Sequence, residues 1–469
     1  MLKSIPFYSG VLLVLLLYAC GNNNNDKRPR KRSTAPTDTV THAGTDSVII
    51  PDFNIYIENS ASMDGYVATE SDFKNSIYGF VTDLKARNLV NNLNLHYIND
   101  SICTFRSNAA TNDINYFIKN LNPTTFKHNG CERKTSNLPN ILKQVIDVKD
   151  NAVTVLVSDC IFSRGDGNST NFLTQQKNQI ELDFAYALRS KAFSSVIVKM
   201  NSQFNGRYFV ESKARTSFNL TNHKVRRPYY ILIFGKRQNL MQLMQDIDFK
   251  DYNGFENKCY FLTPSSDAPV AKIVMKNKVG DFTIGRPATK LVINSAQAGK
   301  DKVFQFSFVA NMDFLKVDDA LITDTAHYTL SPNYSISKIE NIGTSEGASL
   351  QGYTHLYTLR TTELKSQQSV NLKLSFQMPG WIEQSSTIDD GDPFHALQQQ
   401  QTFGLEYLIR GISEAYTDVY GDMTLYNATI QVNRSGTGSG ERSSGGGWWI
   451  LFVVVIVGMA IVIWQKNKH

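Results

Sequence analysis

Glu58-Asn59-Ser60-Ala61-Ser62 places one carboxylate and two hydroxyls at alternate positions, directly after the short apolar run 53–57. Alternate side chains of an extended chain point the same way. Glu58, Ser60 and Ser62 can therefore converge on one centre where the chain leaves a strand. An all-oxygen set of this kind suits Mg²⁺, Ca²⁺ or Mn²⁺ and not zinc or copper, which favour imidazole and thiolate. The same residues have a plainer reading, in which Ser60 and Ser62 cap a following helix, a common role for serine.

The elements that must position them are legible around the motif. Between 51 and 263 apolar runs alternate with helical patterns, which predicts an α/β domain built on a doubly wound, mostly parallel sheet. Strands are expected at 53–58, 93–98, 153–158, 195–200 and 229–234. The segment 73–86 carries Phe73, Ile77, Phe80, Val81 and Leu84 at helical spacing, and 138–148 and 180–188 show similar faces. Ligands of open α/β sheets gather outside the carboxyl ends of strands, where both Glu58 to Ser62 and Asp159 should fall.

With the motif at the first strand tip, the sequence resembles von Willebrand factor A domains, whose Asp-x-Ser-x-Ser motif is similar to Glu58-Asn59-Ser60-Ala61-Ser62. Val153-Thr154-Val155-Leu156-Val157-Ser158-Asp159 is similar to a later family strand, and Thr135-Ser136-Asn137-Leu138 to the loop that supplies a threonine ligand. The resemblance implies that Ser60 and Ser62 bind a divalent cation, that Thr135 or Ser136 adds a third hydroxyl, and that Glu58 and Asp159 supply carboxylates. It also implies an open coordination position that accepts an acidic side chain of a partner protein. Glu58 departs from the family's aspartate, and its extra methylene shifts the carboxylate against a cation whose geometry is strict.

From 264 to 433 short β-rich runs separated by turns predict an antiparallel, sandwich-like domain, with one long helix at 394–416 packed on its sheet. Asp389-Asp390-Gly391-Asp392 lacks the spacing of a calcium loop and reads as a turn leading to that helix. Cys160 reads as a buried strand-end cysteine, and Arg226-Arg227 with 213–215 as a solvated face or partner surface. P-loop and His-Glu-x-x-His patterns are missing, so nucleotide and zinc-protease chemistry has no starting point in the sequence.

The chain has 469 residues and a formal charge of +6, of which the run Lys27-Arg28-Pro29-Arg30-Lys31-Arg32 supplies five, so nucleic acid is not expected as a partner. Residues 1–20 resemble a bacterial lipoprotein signal, with Cys20 as the lipid-bearing residue. An ordinary signal peptide or uncleaved anchor is the alternative. A polar tether follows at 21–50. Near the other end a Gly/Ser linker at 434–447 precedes an apolar segment, 448–464, flanked by Trp448 and Trp464 and followed by the basic tail 465–469. That segment is long enough for a transmembrane helix with a cytoplasmic tail, and it also resembles a removable sorting tail. Cys103, Cys131, Cys160 and Cys259 are then left as disulfides or buried thiols.

The expectation is a membrane-anchored, extracytoplasmic protein-binding protein of the cell envelope, most simply on the periplasmic side of the inner membrane, and not an enzyme. Two alternatives accompany it: a structural subunit of an envelope complex with a degenerate metal site, and a metal-dependent phosphoester hydrolase.

Overall fold

The computed structural model describes residues 49–435 except 126–135, 148–150, 165–167, 265–269, 288–289, 316, 318, 344–347 and 422. Cys20, Cys131, Thr135, the tether up to 48 and the segment 436–469 lie outside the described residues. Among the described residues no helix is long and apolar enough to cross a membrane.

The chain is a mixed α/β protein. Its first part runs β1 (Ile50–Glu58), α1 (Asp64–Val67), α2 (Asp72–Ala86), β2 (Val90–Ile98), β3 (Ile102–Arg106), α3 (Thr111–Ile114), α4 (Leu138–Ile146), β4 (Val153–Ser158), α5 (Ser169–Ser190), β5 (Ser194–Gln203), β6 (Arg207–Val210), β7 (Thr216–Asn219), β8 (Arg226–Gly235), α6 (Arg237–Asp246) and β9 (Phe255–Phe261). Seven of these strands form one sheet in the order β3-β2-β1-β4-β8-β5-β9. Every residue of β4 is buried, as are nine of ten in β5 and in β8, which is what helices on both faces require of central strands.

The expected mostly parallel sheet is corrected here. Only β1 with β2 and β1 with β4 pair in parallel. The other four pairings, β2–β3, β4–β8, β5–β8 and β5–β9, are antiparallel. The cause is local: after β5 the chain turns back through the small hairpin β6–β7 and returns as β8, which inserts between β4 and β5. An antiparallel return needs no crossover helix.

The second part runs β10 (Ala271–Val279), β11 (Asp281–Ile284), β12 (Val292–Gln297), β13 (Phe304–Ala310), α7 (Asp319–Thr323), β14 (Tyr328–Leu330), β15 (Ser335–Asn341), β16 (His355–Thr361), β17 (Gln367–Ser375), α8 (Trp381–Gln384), β18 (Ser386–Thr387), β19 (Thr402–Phe403), α9 (Leu405–Tyr420) and β20 (Thr424–Arg434). Sheets β10-β13-β16-β15 and β11-β12-β20-β17-β14 share one core. Phe304, Phe306 and Phe308 point into it from β13, and Val370, Leu372 and Leu374 from β17, at the two-residue period of strands. The sandwich is antiparallel except where β12 and β20 pair in parallel.

The long helix departs from expectation. Residues 394–404 form turns and β19, and α9 begins only at Leu405. Its apolar face, Leu405, Leu408, Ile409, Ile412, Ala415 and Tyr416, joins the core of the first sheet and not that of the sandwich. Gly411 permits close approach to α5, since a Cβ there would lie 2.7 Å from the Lys177 carbonyl oxygen. Tyr416 Oη donates to the Phe193 carbonyl at 2.8 Å, fixing α9 beside β5.

Register sets the two ends of the molecule. Thr154 pairs with Phe234, Ser195 with Phe234 and Ser195 with Phe261, so the start of β4 and the end of β9 share one end of the sheet. There the chain leaves for the sandwich, and the Phe261 and Phe376 rings meet at 5.2 Å. β20 starts beside this junction, where Phe376 N–H donates to the Met423 carbonyl at 2.8 Å. Its 11 residues end at Arg434, roughly 35 Å along at the strand rise. Glu58 and Ser158 lie at the opposite end of the first sheet.

Candidate functional site

β1 and β4 are adjacent and parallel, so their carboxyl ends deliver two polar tips side by side. Asn59 N–H still donates to the Ile98 carbonyl at 3.0 Å, which holds Glu58 in the sheet. Ser60 is extended, at φ −63° and ψ 165°, and opens a short 3-10 turn without capping it through its side chain. The capping alternative is therefore not realised at Ser60. Its Oγ instead lies 2.9 Å from Ser62 Oγ.

Glu58 is 2% exposed, and both of its oxygens accept hydroxyl protons. Ser136 Oγ donates to Oε1 at 2.5 Å, and Ser158 Oγ donates to Oε2. Ser158 Oγ in turn accepts the Cys160 N–H at 2.8 Å. The additional methylene of glutamate thus reaches hydroxyls from two other segments, the loop before α4 and the end of β4. Of the two candidates in the 135–136 loop, Ser136 joins the cluster, while Thr135 lies outside the described residues.

Asp159 is buried immediately beyond β4. Oδ1 accepts the Ile161 N–H at 3.2 Å, and Oδ2 accepts no hydrogen bond among the described residues. Burial and, next, the negative charge of Glu58 push its carboxyl up from 3.8 to about 7, with the nearby Ser62 hydroxyl, the Ile161 N–H and Arg227 acting the other way. Arg227 is itself buried, its guanidinium 4.3 Å from the Tyr208 ring centroid and donating to the carbonyls of Gln398 and Gln401 at 2.8 and 3.1 Å. The sequence reading of Arg226-Arg227 as a solvated face is corrected: Arg226 pairs with Asp72 at 2.7 Å, and Arg227 is interior.

Above the tips lies a cleft of about 540 Å³. Ser60, Ser62 and Ser136 form one wall, and Arg164, Glu211 and Arg215 contribute to the other, much of it hairpin β6–β7. The hairpin is pinned by the acidic turn after β18. Asp390 accepts Tyr208 Oη at 2.7 Å, Glu211 N–H at 3.0 Å and Ser212 N–H at 2.8 Å. That turn ties the hairpin through Asp390, and the helix it was expected to open starts later.

Cys160 follows Asp159 in the left-handed region, at φ 54°. Its thiol is free and buried, and burial pushes it well up, so it stays protonated and a poor nucleophile. Cys259 is likewise a free buried thiol, whereas Cys103 is disulfide-bonded.

Among the described residues no three His, Cys, Asp or Glu side chains gather in a metal-holding group. A cation here would rest largely on hydroxyls. The donor set fits a hard divalent ion in two respects: the Ser60 and Ser62 oxygens are already adjacent, and Asp159 Oδ2 is a buried acceptor without a donor. Glu58, with both oxygens engaged, is placed to orient Ser136 and Ser158 more than to ligate. Sequence reasoning missed Ser158 as a member, although its place before Asp159 at a strand end was visible. It also missed Arg227 and the hairpin wall. Comparison of the chain with protein-family models, with curated protein sequences and with solved structures returns no match in any of the three.

Proposed function

We propose that the chain is a von Willebrand factor A-like protein-binding protein, anchored at a membrane with its ectodomain outside the cytoplasm, whose strand-tip cluster engages an acidic side chain of a partner protein through a divalent cation. The observation that carries this reading is the meeting of Glu58, Ser60, Ser62, Ser136 and Asp159, from separate segments, beneath one cleft, with one buried carboxylate oxygen lacking a donor. A bound divalent cation would supply positive charge between the two carboxylates and an electrophilic position for a partner carboxylate. Serine hydroxyls, being neutral, would leave that charge largely unquenched.

The membrane part rests on the sequence: lipid at Cys20 and a span at 448–464, with no nucleic acid proposed as a partner. The role is binding and not turnover.

One observation favours a second reading, an envelope scaffold with a degenerate site: Glu58 is already satisfied by two serines without any cation. Thermal melting of the full-length chain separates the two. If Mg²⁺, Ca²⁺ or Mn²⁺ binds the folded state, a concentration of one hundred times Kd stabilises it by about 2.7 kcal/mol. The stabilisation should vanish in Ser60→Ala/Ser62→Ala. An identical melt with each cation and with EDTA favours the scaffold.

A further inference from the structure

The wall of the cleft facing the serines has a fixed shape. Besides the Asp390 tie, Glu211 accepts the Arg164 N–H at 2.6 Å, while Arg164 donates Nε and a terminal nitrogen to the Glu211 and Ser212 carbonyls at 2.7 and 2.8 Å. At the other end of the hairpin, Asn205 N–H donates to the Gly65 carbonyl at 2.7 Å, which joins the wall to the turn that carries Ser60 and Ser62. Gly206 has to be a glycine there, because a Cβ would stand 2.7 Å from the Gly65 Cα. The hairpin is therefore tied to the chain at both of its ends.

What this wall offers is positive charge. Glu211 is the only acidic side chain lining the cleft among the described residues, and its carboxylate is turned to Arg164 N–H. Arg215 also lines the cleft, is exposed, and has no acidic partner among the described residues. It sits at φ 58°, a conformation that costs a non-glycine residue on the order of 1 kcal/mol and is kept here by the closed turn, Thr216 N–H to the Lys213 carbonyl at 3.3 Å. A guanidinium carried on this fixed turn, in a cleft that also presents neutral hydroxyls, matches a carboxylate in a planar, two-point manner.

We infer that the cleft recognises two acidic groups of one extended peptide segment, the first at the serine cluster and the second at Arg215. This rests on the proposed function for the first group, and Arg215 adds selectivity that the cluster alone lacks. The test uses the full-length chain in Mg²⁺ or Mn²⁺ and two fluorescent, C-terminally amidated glycine peptides, one bearing a single aspartate and one bearing two, separated by a glycine. Anisotropy should show the two-acid peptide binding about five-fold more tightly, the size of a partly exposed charge pair. Arg215→Gln, and Arg215→Gly which suits the positive φ, should bring that ratio to about one. A ratio that survives both variants overturns the inference and leaves the proposed function standing. Failure of the single-acid peptide to bind, or binding indifferent to Ser60→Ala/Ser62→Ala, overturns both.

Discussion

Asp159 and Asp390 are both buried, both act electrostatically on Tyr208, and differ in how the protein meets their charge. Asp390 has donors on both oxygens: a phenol and two backbone amides from the hairpin it ties down. Asp159 has an amide on one oxygen, none on the other, and a second carboxylate nearby. A buried charge with a full set of donors stabilises the surroundings that supply them, while one that is half-served beside a like charge is a cost the fold carries. The first pattern marks architecture. The second marks a place where something else completes the set.

The largest effect should come from the architectural aspartate. Asp390→Ala strands two backbone amides and the Tyr208 hydroxyl, and is expected to destabilise the α/β part by about 3 kcal/mol. Urea or thermal melting measures this. A loss under about 1 kcal/mol would mean that water serves those donors equally well and would remove the contrast between the two sites.

Asp159→Asn should act in the opposite direction. Its folded carboxyl titrates at about 7 against an ordinary 3.8, so the folded state keeps a proton that the unfolded state releases between those values. The stability that this proton contributes is complete below pH 3.8, is lost as the pH rises to about 7, and stays lost above. Glu211, raised to about 7 by burial, bends the profile the same way and must be subtracted by comparison of variants. Near pH 7.5 and without divalent cations, Asp159→Asn should match or exceed the wild type by on the order of 1 kcal/mol, with the difference shrinking as the pH falls. A variant that is less stable at every pH would show that the charge has a partner after all.

Glu58→Asp probes the link between the two carboxylates. The shorter side chain cannot hold both Ser136 and Ser158, so it should cost about 1 kcal/mol for each hydrogen bond lost. If the glutamate is what keeps the site closed, the same variant should gain more from added Mg²⁺ than the wild type does. Equal gains would place Glu58 outside the cation's influence.

The tips of β1 and β4 were legible because an apolar run that stops at polar residues marks where a strand leaves a sheet, and Ser60, Ser62, Ser136 and Asp159 fall there. Strand direction was not. Runs such as 195–200 and 229–234 are equally apolar in parallel and antiparallel neighbours, and the intervening hairpin is only four residues per strand. Nor was the docking of α9 legible, since an amphipathic face shows that a helix is covered without saying by what. Arg227 reads as surface charge beside Arg226, and only the fold brings Tyr208 and two carbonyls around it. Local pattern located the site, and long-range packing decided its electrostatics.

The smallest effect on stability is expected from Ser60→Ala, and it sharpens the comparison most. Ser60 caps no helix through its side chain, and its hydroxyl meets Ser62, itself part-exposed. In EDTA its removal should cost about 0.5 kcal/mol, the low end for one hydrogen bond. If Asp159 and the serines form a set that a cation completes, the same variant should nonetheless lose most of the divalent-dependent stabilisation, because a hydroxyl ligand cannot be replaced by a methyl. Residues of Asp390's kind are costly to remove under every condition. Ser60 and Asp159 should cost far less until the cation is present, and a Ser60→Ala variant that melts with the wild type in both EDTA and saturating Mg²⁺ would place the two aspartates in one class.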